Sequence, residues 1–436
     1  MKAKPLPPSG DEPSQPLPKG GDSLSPKTHR GGDSLSPEAT LPPGWQRVKL
    51  GDLCDLVNGD AYRDTDWSTN GVPIIRIQNL NNHEKPFNYW AGGLDDRVIV
   101  TDGDVLLAWS GTPGTSFGTH RWHRGRAVLN QHIFRVDLDA SRLDPDWAVL
   151  AINEQLEEMI GRAHGAVGLR HVTRREVESL EILLPSLPEQ RRIAARVREQ
   201  LSAVAEARAA VQAQFDAAQT LPAAHLRNVF NSQAASRWPK RRIGEVAKIQ
   251  SGYAFKSEWF VGDGIRLLRN ANVSQDRIDW TETVRLPATR RAEFPTYELS
   301  EGDIILSLDR PVVSGGLKVA RVSSADLPAL LLQRVGRFQL KEGIQAEYLY
   351  QFLHTQDFIG EITAHDQSLG VPHVSPKQVE HVELPVPPVV EQCTIAARIE
   401  AELGDSSALA VHLSGRLTAL DHLPAALLRE AFSGRL

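Results

Sequence analysis

The sequence is poor in the residues and runs that define several large classes of protein. Its 436 residues include two cysteines, Cys54 and Cys393, which lie far apart and form no CxxC motif. This argues against a disulfide or zinc scaffold and is typical of a reducing compartment, so we expect a cytoplasmic protein. No apolar run approaches the roughly 20 residues that a membrane-spanning helix needs, and the N-terminus lacks the apolar core of a signal peptide.

Motifs of catalysis are missing as well. The sequence has no GxxxxGK[ST] phosphate loop, no GxGxxG after a strand, no GxSxG elbow and no HExxH motif. It also lacks the Asn/Asp-Pro-Pro-aromatic run of amino-methyltransferases. His120, His123 and His132 have no cysteine or carboxylate at ligand spacing, so they predict no metal site. We therefore expect a binding protein with no catalytic residue, no metal and no cofactor of its own.

An internal duplication is the main feature that the sequence does contain. Residues 185–230 recur at 387–432 with a constant offset of 202 residues and no gap. Each copy starts at a proline, continues through an EQ pair and the segment IAAR, and closes on LPAA. A repeat of this length indicates that the chain consists of two related halves.

The repeated stretch has the composition and spacing of a long helix. Pro188 suits a first helical turn, and neither proline nor glycine follows before Pro222. Apolar residues recur at gaps of four and three, the a/d spacing of a coiled coil. We predict two helices of about 30 residues and about 45 Å that pair antiparallel with each other; two unrelated amphipathic helices on separate cores are the alternative. The predicted pairing residues, with Arg208 as an interruption, are Ile193, Val197, Leu201, Val204, Arg208, Val211, Phe215, Ile395, Ile399, Leu403, Leu413 and Leu417.

The stretches that precede the two helices also match each other. For example, GVPIIRIQN at 71–79 corresponds to GIRLLRNAN at 264–272. Short β-rich runs alternate with Gly, Asn and Asp turns, and helical segments follow at about 145–161 and 346–362. We therefore predict an α+β fold in which two mixed α/β domains, with mainly antiparallel sheets, are related by pseudo-twofold symmetry and separated by the two long helices.

These assignments divide the chain into five segments. Residues 1–40 are rich in Pro, Gly and Ser and are expected to form a disordered tail. A first domain, a first spacer helix, a second domain and a second spacer helix follow at 41–184, 185–232, 237–386 and 387–436.

The charge distribution gives a mixed indication of the ligand. A net charge of −5 is unusual for a nucleic-acid-binding protein, which is more often basic overall. Residues 237–297, however, hold twelve Lys and Arg against seven Asp and Glu, and the loop HRWHRGR at 120–126 is also basic. Basic loops in both copies favour phosphate binding, although a solvated surface without a ligand would have the same composition.

Arginine, asparagine, glutamine and hydroxyl side chains are the usual readers of base edges. On that ground we select the candidate DNA-binding residues from the basic loops and the matched turns of both domains. They are Arg76, Asn79, Thr112, His120, Arg121, His123, Arg124, Arg126, Gln131, Arg269, Asn272, Arg310, Ser314, Lys318, Gln333 and Arg334.

Three stretches together resemble one known family. LPPGWQRVKLGDLCDLVNG at 41–59, the paired EQ…IAAR helices and the closing LLREAFSGRL at 427–436 are similar to the specificity subunits of Type I restriction-modification systems. The resemblance covers nearly everything but the tail. One departure is that residues 110–118 diverge from the usual family loop, which 310–318 retain; recognition loops are expected to diverge.

The resemblance implies a function that explains the missing catalytic motifs. Each domain would be a target recognition domain that reads one half of a bipartite site in double-stranded DNA. The helices would be conserved spacers on which two modification subunits dock, and these partners would bring S-adenosylmethionine and methylate adenine N6. Restriction subunits would bring ATP, Mg and DNA cleavage. The alternative is an adaptor that uses the same duplicated scaffold to bind protein or RNA.

Overall fold

The computed structural model describes residues 41–109, 118–163, 173–313, 316–364 and 373–436. The chain divides into two compact units, Met1–Arg196 together with Glu430–Leu436, and Val197–Arg429. Across the described ranges, no helix has both the length and the apolar composition needed to cross a bilayer.

The first unit contains ten strands, three helices and the start of a fourth helix within its described residues. The strands are β1 Gln46–Lys49, β2 Cys54–Asn58, β3 Val72–Ile75, β4 Asn88–Trp90, β5 Ile99–Val100, β6 Val105–Ala108, β7 Gly118–Arg121, β8 Ala127–Leu129, β9 Ile133–Leu138 and β10 Glu181–Leu184. The helices are α1 Ile77–Asn81, α2 Pro145–Ala163, α3 Arg174–Glu178 and the long α4 Leu187–Phe230, which continues into the second unit.

The second unit repeats this arrangement with other strand lengths. Its strands are β11 Lys240–Arg242, β12 Ala247–Ser251, β13 Ile265–Leu268, β14 Val273–Ser274, β15 Arg277–Ile278, β16 Val284–Leu286, β17 Ile304–Ser307, β18 Val312–Val313, β19 Gly316–Leu317, β20 Val319–Arg321, β21 Ala329–Leu331, β22 Val335–Leu340 and β23 Glu383–Pro385. Its helices are α5 Ile243–Val246, α6 Ala346–Leu353, α7 Gln356–Thr363, α8 Pro376–His381 and the long α9 Val389–Phe432.

The sheet topology confirms that the two domains share one α+β fold. A four-stranded antiparallel sheet has the order β2-β9-β6-β7 in the first domain and β12-β22-β17-β20 in the second. A second sheet contains β4-β3-β8-β5 or β16-β13-β21, and a strand pair, β1-β10 or β11-β23, closes each domain. The central pairs β3·β8 and β13·β21 are parallel, so the second sheet is mixed. The other strand pairs among the described residues are antiparallel, which agrees with the prediction of mainly antiparallel sheets.

One predicted helix is in fact two. The stretch expected to be helical at 346–362 is interrupted: α6 ends at Leu353, and α7 begins at Gln356, directly after Thr355. The Thr355 side chain accepts a hydrogen bond from the Phe358 N–H, which makes it the N-cap of α7. The cap satisfies a backbone donor that the break exposes.

An aromatic residue on the helix after the sheet occupies the same place in both cores. Trp147 of α2 is fully buried, and its indole N–H donates to the Leu183 carbonyl at 2.9 Å. Tyr348 of α6 is fully buried, and its hydroxyl donates to the Pro385 carbonyl at 2.7 Å. Each ring also packs against the last phenylalanine of a long helix, Phe432 for Trp147 and Phe230 for Tyr348.

A buried glutamine joins each long helix to the domain before it. The Gln190 side chain is completely buried; its Oε1 accepts from the Asp144 N–H at 2.8 Å, and its Nε2 donates to the Arg142 and Pro185 carbonyls at 2.9 Å. Gln392 makes the same three hydrogen bonds, at 2.8–2.9 Å, with Gln345, Gly343 and Pro387. These bonds explain why the EQ pair recurs in both copies.

The long helices exceed the predicted length. Both α4 and α9 have 44 residues, which corresponds to about 66 Å at 1.5 Å per residue. Each continues through an internal proline, Pro222 or Pro424, although a proline removes one helical hydrogen bond. The turns that follow carry buried side chains, such as Leu226 and Phe230 in α4, and this packing offsets the lost bond.

The middles of the two helices pair antiparallel within the second unit. Val211 and Ala218 of α4 form a buried cluster with Leu413 of α9, and Phe215, Leu221, Leu417 and Leu420 pack against that cluster. Two polar contacts give the same direction, because an ion pair joins Arg208 to Asp421 at 2.6 Å and His225 Nδ1 lies 3.2 Å from the Glu402 carboxylate.

The other predicted pairing residues fall into four groups. Arg208 is half exposed, and its ion pair lies beside the apolar cluster. Leu201 and Val204 are half-buried, and Ile193 and Val197 are fully buried. Ile395, Ile399 and Leu403 belong to the core of the second domain, where α4 also contributes its last apolar residues.

The buried cluster between α4 and α9 predicts different effects for two neighbouring substitutions in α9. Leu413 is 3% exposed, whereas 70% of Val411 is exposed. Leu413→Asp should lower the free energy of unfolding of the second unit by about 3–5 kcal/mol, because it buries a charge beside Val211. Val411→Asp introduces the same charge on the exposed face and should change the free energy by less than about 1 kcal/mol. Urea unfolding followed by circular dichroism measures both changes. Equal unfolding midpoints for the two variants would contradict the burial of Leu413 between the helices.

Candidate nucleic-acid interface

Two loops leave the four-stranded sheet of the first domain at the same end. Strand β6 ends at Ala108, directly opposite Ile133, where β9 begins. The N–H of Trp109 donates to the carbonyl of His132 at 3.3 Å, and the two rings meet edge to face. The exposed Gln131 therefore lies at the same end of the sheet as Trp109.

The second domain has the same junction with different residues. The N–H of Leu308, which follows β17, donates to the carbonyl of Arg334, which precedes β22, at 2.9 Å. Three exposed candidates lie here: Arg310, Gln333 and Arg334. We call this part of each sheet the loop end, formed by residues 109 and 130–132 in the first domain and by 308–313 and 332–334 in the second. The candidates Thr112 and Ser314 lie outside the described residues.

The basic loop at 120–126 is organised around a buried tryptophan. Trp122 is 2% exposed, and its indole N–H donates to the Gly125 carbonyl at 2.6 Å. Gly125 has a φ of +79°, a left-handed conformation that glycine adopts without a steric penalty. His123 and Arg126 are exposed, so these two residues of the loop can meet a ligand.

Two further candidates of this loop face the protein. Burial and the nearby charge of His83 lower the pKa of His120, so its ring is neutral at pH 7. Arg121 lies 3.5 Å from Asp146 of α2, with a quarter of its side chain exposed. A neutral histidine and a paired, largely covered arginine are poorly suited to bind a phosphate.

Arg124 packs against a ring and a backbone carbonyl of the first domain. Its guanidinium lies over the Phe87 ring at 4.0 Å and donates to the Asn79 carbonyl at 3.2 Å. Cation–π contact and the hydrogen bond hold the side chain against the domain. These contacts give Arg124 a packing role, and its contact with DNA stays a prediction.

The two matched asparagines are also interior residues, which corrects their selection as DNA contacts. Asn79 is fully buried; it accepts from the Arg76 N–H at 3.1 Å and donates to two backbone carbonyls at 3.1 Å each. Asn272 is 1% exposed and makes the same pattern with Arg269, Asp279 and Glu282. Because these hydrogen bonds use the side-chain amides inside the domain, neither amide can reach a base.

Three remaining candidates are partly covered. Arg76 lies over the Trp67 ring at 4.8 Å, and Arg269 lies 3.3 Å from the Glu282 carboxylate. Lys318 donates to the Asn270 carbonyl, and burial lowers its pKa.

The basic run at 237–297 is not a continuous cationic patch. Many of its cations have an acidic neighbour, which reduces their attraction for a distant phosphate. Ion pairs join Arg241 to Glu245, Lys256 to Glu258, Arg269 to Glu282, Arg290 to Glu293 and Arg291 to Glu298.

The selection from sequence missed Asp309 at the loop end of the second domain and His373 beside it. Asp309 is 5% exposed and pairs with Arg334 at 2.7 Å and with His373 at 2.6 Å. A carboxylate two residues after the apolar strand β17 and next to Arg310 was the available signal in the sequence.

The loop ends of the two domains therefore offer different chemistry on the same frame. The first presents Gln131, and the second presents Gln333, Arg310 and Arg334. His123 and Arg126 are exposed in the basic loop, which follows β7 at the opposite end of the sheet of the first domain. Glutamine amides and guanidinium groups can both donate to base edges, and guanidinium groups also bind phosphate.

Two arginines of the basic loop should separate stability from binding. Arg124→Ala should lower the free energy of unfolding by about 1–2 kcal/mol, because it removes the contact with Phe87 and the bond to Asn79. Arg126→Ala removes an exposed cation and should leave stability within about 0.5 kcal/mol. Denaturant unfolding of both variants measures this; the reverse order of stabilities would contradict the packing role of Arg124.

Comparison with known proteins assigns this frame to a family. The family model of the Type I restriction modification DNA specificity domain matches the chain twice, at residues 42–204 and 235–404. The two matches cover well over half of the chain, and each coincides with one repeat.

Two curated relatives show the same resemblance at different lengths. The specificity subunit of the Type I restriction enzyme EcoAI from Escherichia coli is 42% identical over 164 residues, which are 37% of this chain but 28% of that relative. The specificity subunit of the Type I restriction enzyme MjaVIII from Methanocaldococcus jannaschii is 23% identical over 386 residues, which are 83% of this chain and 86% of the relative.

Solved structures share the fold at low sequence identity. A chain from a study of complex assembly and conformational transition of the type I R-M system has a TM-score of 0.69 and 20% identity, with 91% of this chain and all of that chain covered. The HsdS subunit from Thermoanaerobacter tengcongensis has a TM-score of 0.62 and 22% identity, with 92% and 99% covered.

Proposed function

The chain belongs to the Type I restriction-modification DNA specificity family, and on that premise we propose that each of its two domains reads one half of a bipartite site in double-stranded DNA. The observation that carries this proposal is the loop end, which recurs on the same sheet in both domains with different exposed residues. Gln131 corresponds to Gln333, but His132 stands where the second domain has Arg334. Two domains that share one fold but expose different side chains at the loop end can read two unlike half-sites.

The exposed residues have the chemistry needed to read DNA. A glutamine amide can donate to and accept from adenine at N7 and N6, and a guanidinium can donate to guanine at O6 and N7. Arg126 and Arg310 add positive charge that binds phosphates without reading sequence. The buried Asn79 and Asn272 support this function indirectly, because each fixes the backbone of its domain through three hydrogen bonds.

We propose that the chain itself has no catalytic residue and directs the chemistry of partners. Two modification subunits would dock on the spacer helices, whose outer face carries exposed apolar residues such as Leu409 and Val411. These subunits would bind S-adenosylmethionine and methylate adenine N6 in each half-site. Restriction subunits would supply ATP-dependent translocation and Mg-dependent cleavage, and the complex would act in the cytoplasm.

A domain exchange tests whether the two domains read independently. Residues 41–184 are replaced by the corresponding domain of another family member, and the methylated motif in the host genome is determined by methylome sequencing. One half of the motif should change and the other half should stay the same, because the loop end of the second domain is untouched.

The reciprocal exchange of residues 237–386 is the matched control and should change the opposite half. If both halves changed after either exchange, independent reading would be wrong. If the host genome carried no methylated motif that depends on this chain, the proposed link to modification subunits would be wrong, and an adaptor for protein or RNA would be the better interpretation.

A second experiment tests whether the helices set the distance between the half-sites. Removing seven residues from each helix, 208–214 from α4 and 414–420 from α9, takes opposite segments out of the antiparallel pair and keeps the heptad phase. The two halves of the motif should move closer by about 10 Å, or about three base pairs. Methylome sequencing gives the gap; an unchanged gap would show that the helices do not set it.

A further inference from the structure

A buried carboxylate lies beneath the loop end of the second domain. Asp309 directly follows Leu308, whose N–H donates to the Arg334 carbonyl at 2.9 Å and whose carbonyl accepts from the Val374 N–H at 2.8 Å. The backbone of Asp309 also forms a bridge with His373. Three parts of the domain therefore meet at this aspartate: the end of β17, the turn before β22 and residues 373–374.

Both oxygens of the Asp309 carboxylate have a cationic or polar partner. Arg334 Nη1 donates to Oδ2 at 2.7 Å, and His373 Nδ1 lies 2.6 Å from Oδ1. Burial acts to raise the pKa of Asp309, but the hydrogen bonds from His373 and Arg334 outweigh it and lower the pKa below its usual value. Because an ionised carboxylate can only accept, the Nδ1 atom of His373 must carry the proton in this contact.

The partners of Asp309 point most of their surface away from it. The side chains of Arg334 and His373 are 64% and 55% exposed, whereas that of Asp309 is 7% exposed. A guanidinium has five N–H donors, so the bond from Nη1 leaves several donors of Arg334 directed at solvent. The Nε2 atom of His373 is likewise not used by the carboxylate.

The backbone around this contact is held in an uncommon conformation. Arg334 has a φ of +68° and Arg310 a φ of +45°, both in the left-handed region that residues with a β-carbon rarely adopt. Such conformations persist where surrounding contacts fix them, and they concentrate at functional sites. Lys318 lies beside this segment, because its N–H donates to the Pro311 carbonyl at 2.7 Å. Arg310 and Arg334 outnumber Asp309 at the loop end, which is therefore positive.

We propose that Asp309 is a positioning residue that holds Arg334 and His373 against a DNA phosphate in the half-site of the second domain. The inference rests on the proposed reading of DNA by this domain. A guanidinium that is oriented before binding loses less conformational freedom when it meets the phosphate. In the sequence of the first domain, Ser110 and His132 stand where the second has Asp309 and Arg334.

The charge of Asp309 allows a sharp test, because positioning and simple electrostatics predict opposite results. Asp309→Asn removes a negative charge, so electrostatics alone would strengthen DNA binding. Positioning predicts about fivefold weaker binding, because the amide no longer anchors both partners as an acceptor. Arg334→Ala should weaken binding about tenfold and reduce the slope of log affinity against log salt by about 0.9, the value for one lost phosphate contact.

The measurement uses the full-length chain and fluorescence anisotropy with a labelled, mixed-sequence duplex of about 30 base pairs, since a phosphate contact is independent of sequence. The double variant Asp309→Asn/Arg334→Ala should bind about as weakly as Arg334→Ala alone, because both changes remove the same contact. Arg416→Ala, which removes an exposed arginine of α9, is the matched charge control and should keep the wild-type slope.

Tighter or unchanged binding by Asp309→Asn would overturn the proposal, and so would an unchanged salt slope in Arg334→Ala. Circular dichroism melting checks that each variant is folded. If Asp309→Asn unfolds, Arg334→Ala still decides the outcome, because it alters an exposed side chain. If the wild-type chain bound neither this duplex nor one carrying the methylated motif of the host, the proposed DNA recognition itself would fail, which is a different result.

Discussion

A buried glutamine amide determines how each long helix leaves its domain. Gln190 and Gln392 each satisfy three backbone groups in the turn before the helix and in the segment before α2 or α6. A side chain without this amide would leave those groups buried and unpaired, at a cost of about 1–3 kcal/mol each. The direction of the helix, the packing of its first apolar turn and the position of the neighbouring domain helix all depend on this one set of bonds.

The repeat made most of the fold predictable from sequence. An offset that stays constant over the two long helices, and matched turns before them, was sufficient to give two α+β domains and two paired helices. The parallel pairs β3·β8 and β13·β21 were not predictable, because short apolar strands look alike in either orientation. The helices were underestimated because Pro222 and Pro424 read as stops, whereas burial of the following turns keeps them helical.

The candidate site was less predictable than the fold, because residue type does not reveal burial. Asn79 and Arg124 have the side chains of DNA contacts, but hydrogen bonds and ring contacts hold them inside the first domain. The basic run of the second domain predicted a cationic surface, but in the structure several of its cations pair with carboxylates. Asp309 was overlooked for the opposite reason: a single aspartate shows its two partners, Arg334 and His373, only after the chain has folded.

The residues that hold each domain together are different from the residues exposed at its loop end, and this has a consequence for how such a protein evolves. The hydrogen bonds of Asn79 and Asn272 and the buried glutamines lie in the interior, whereas Gln131, Gln333 and Arg310 contribute little to any core. Substitutions at the exposed positions therefore carry almost no penalty in folding, and a lineage can pass through many target sequences without losing a stable protein. Arg334 is the exception, because its carbonyl accepts from Leu308 and its side chain pairs with Asp309, and a change there requires a second change to compensate.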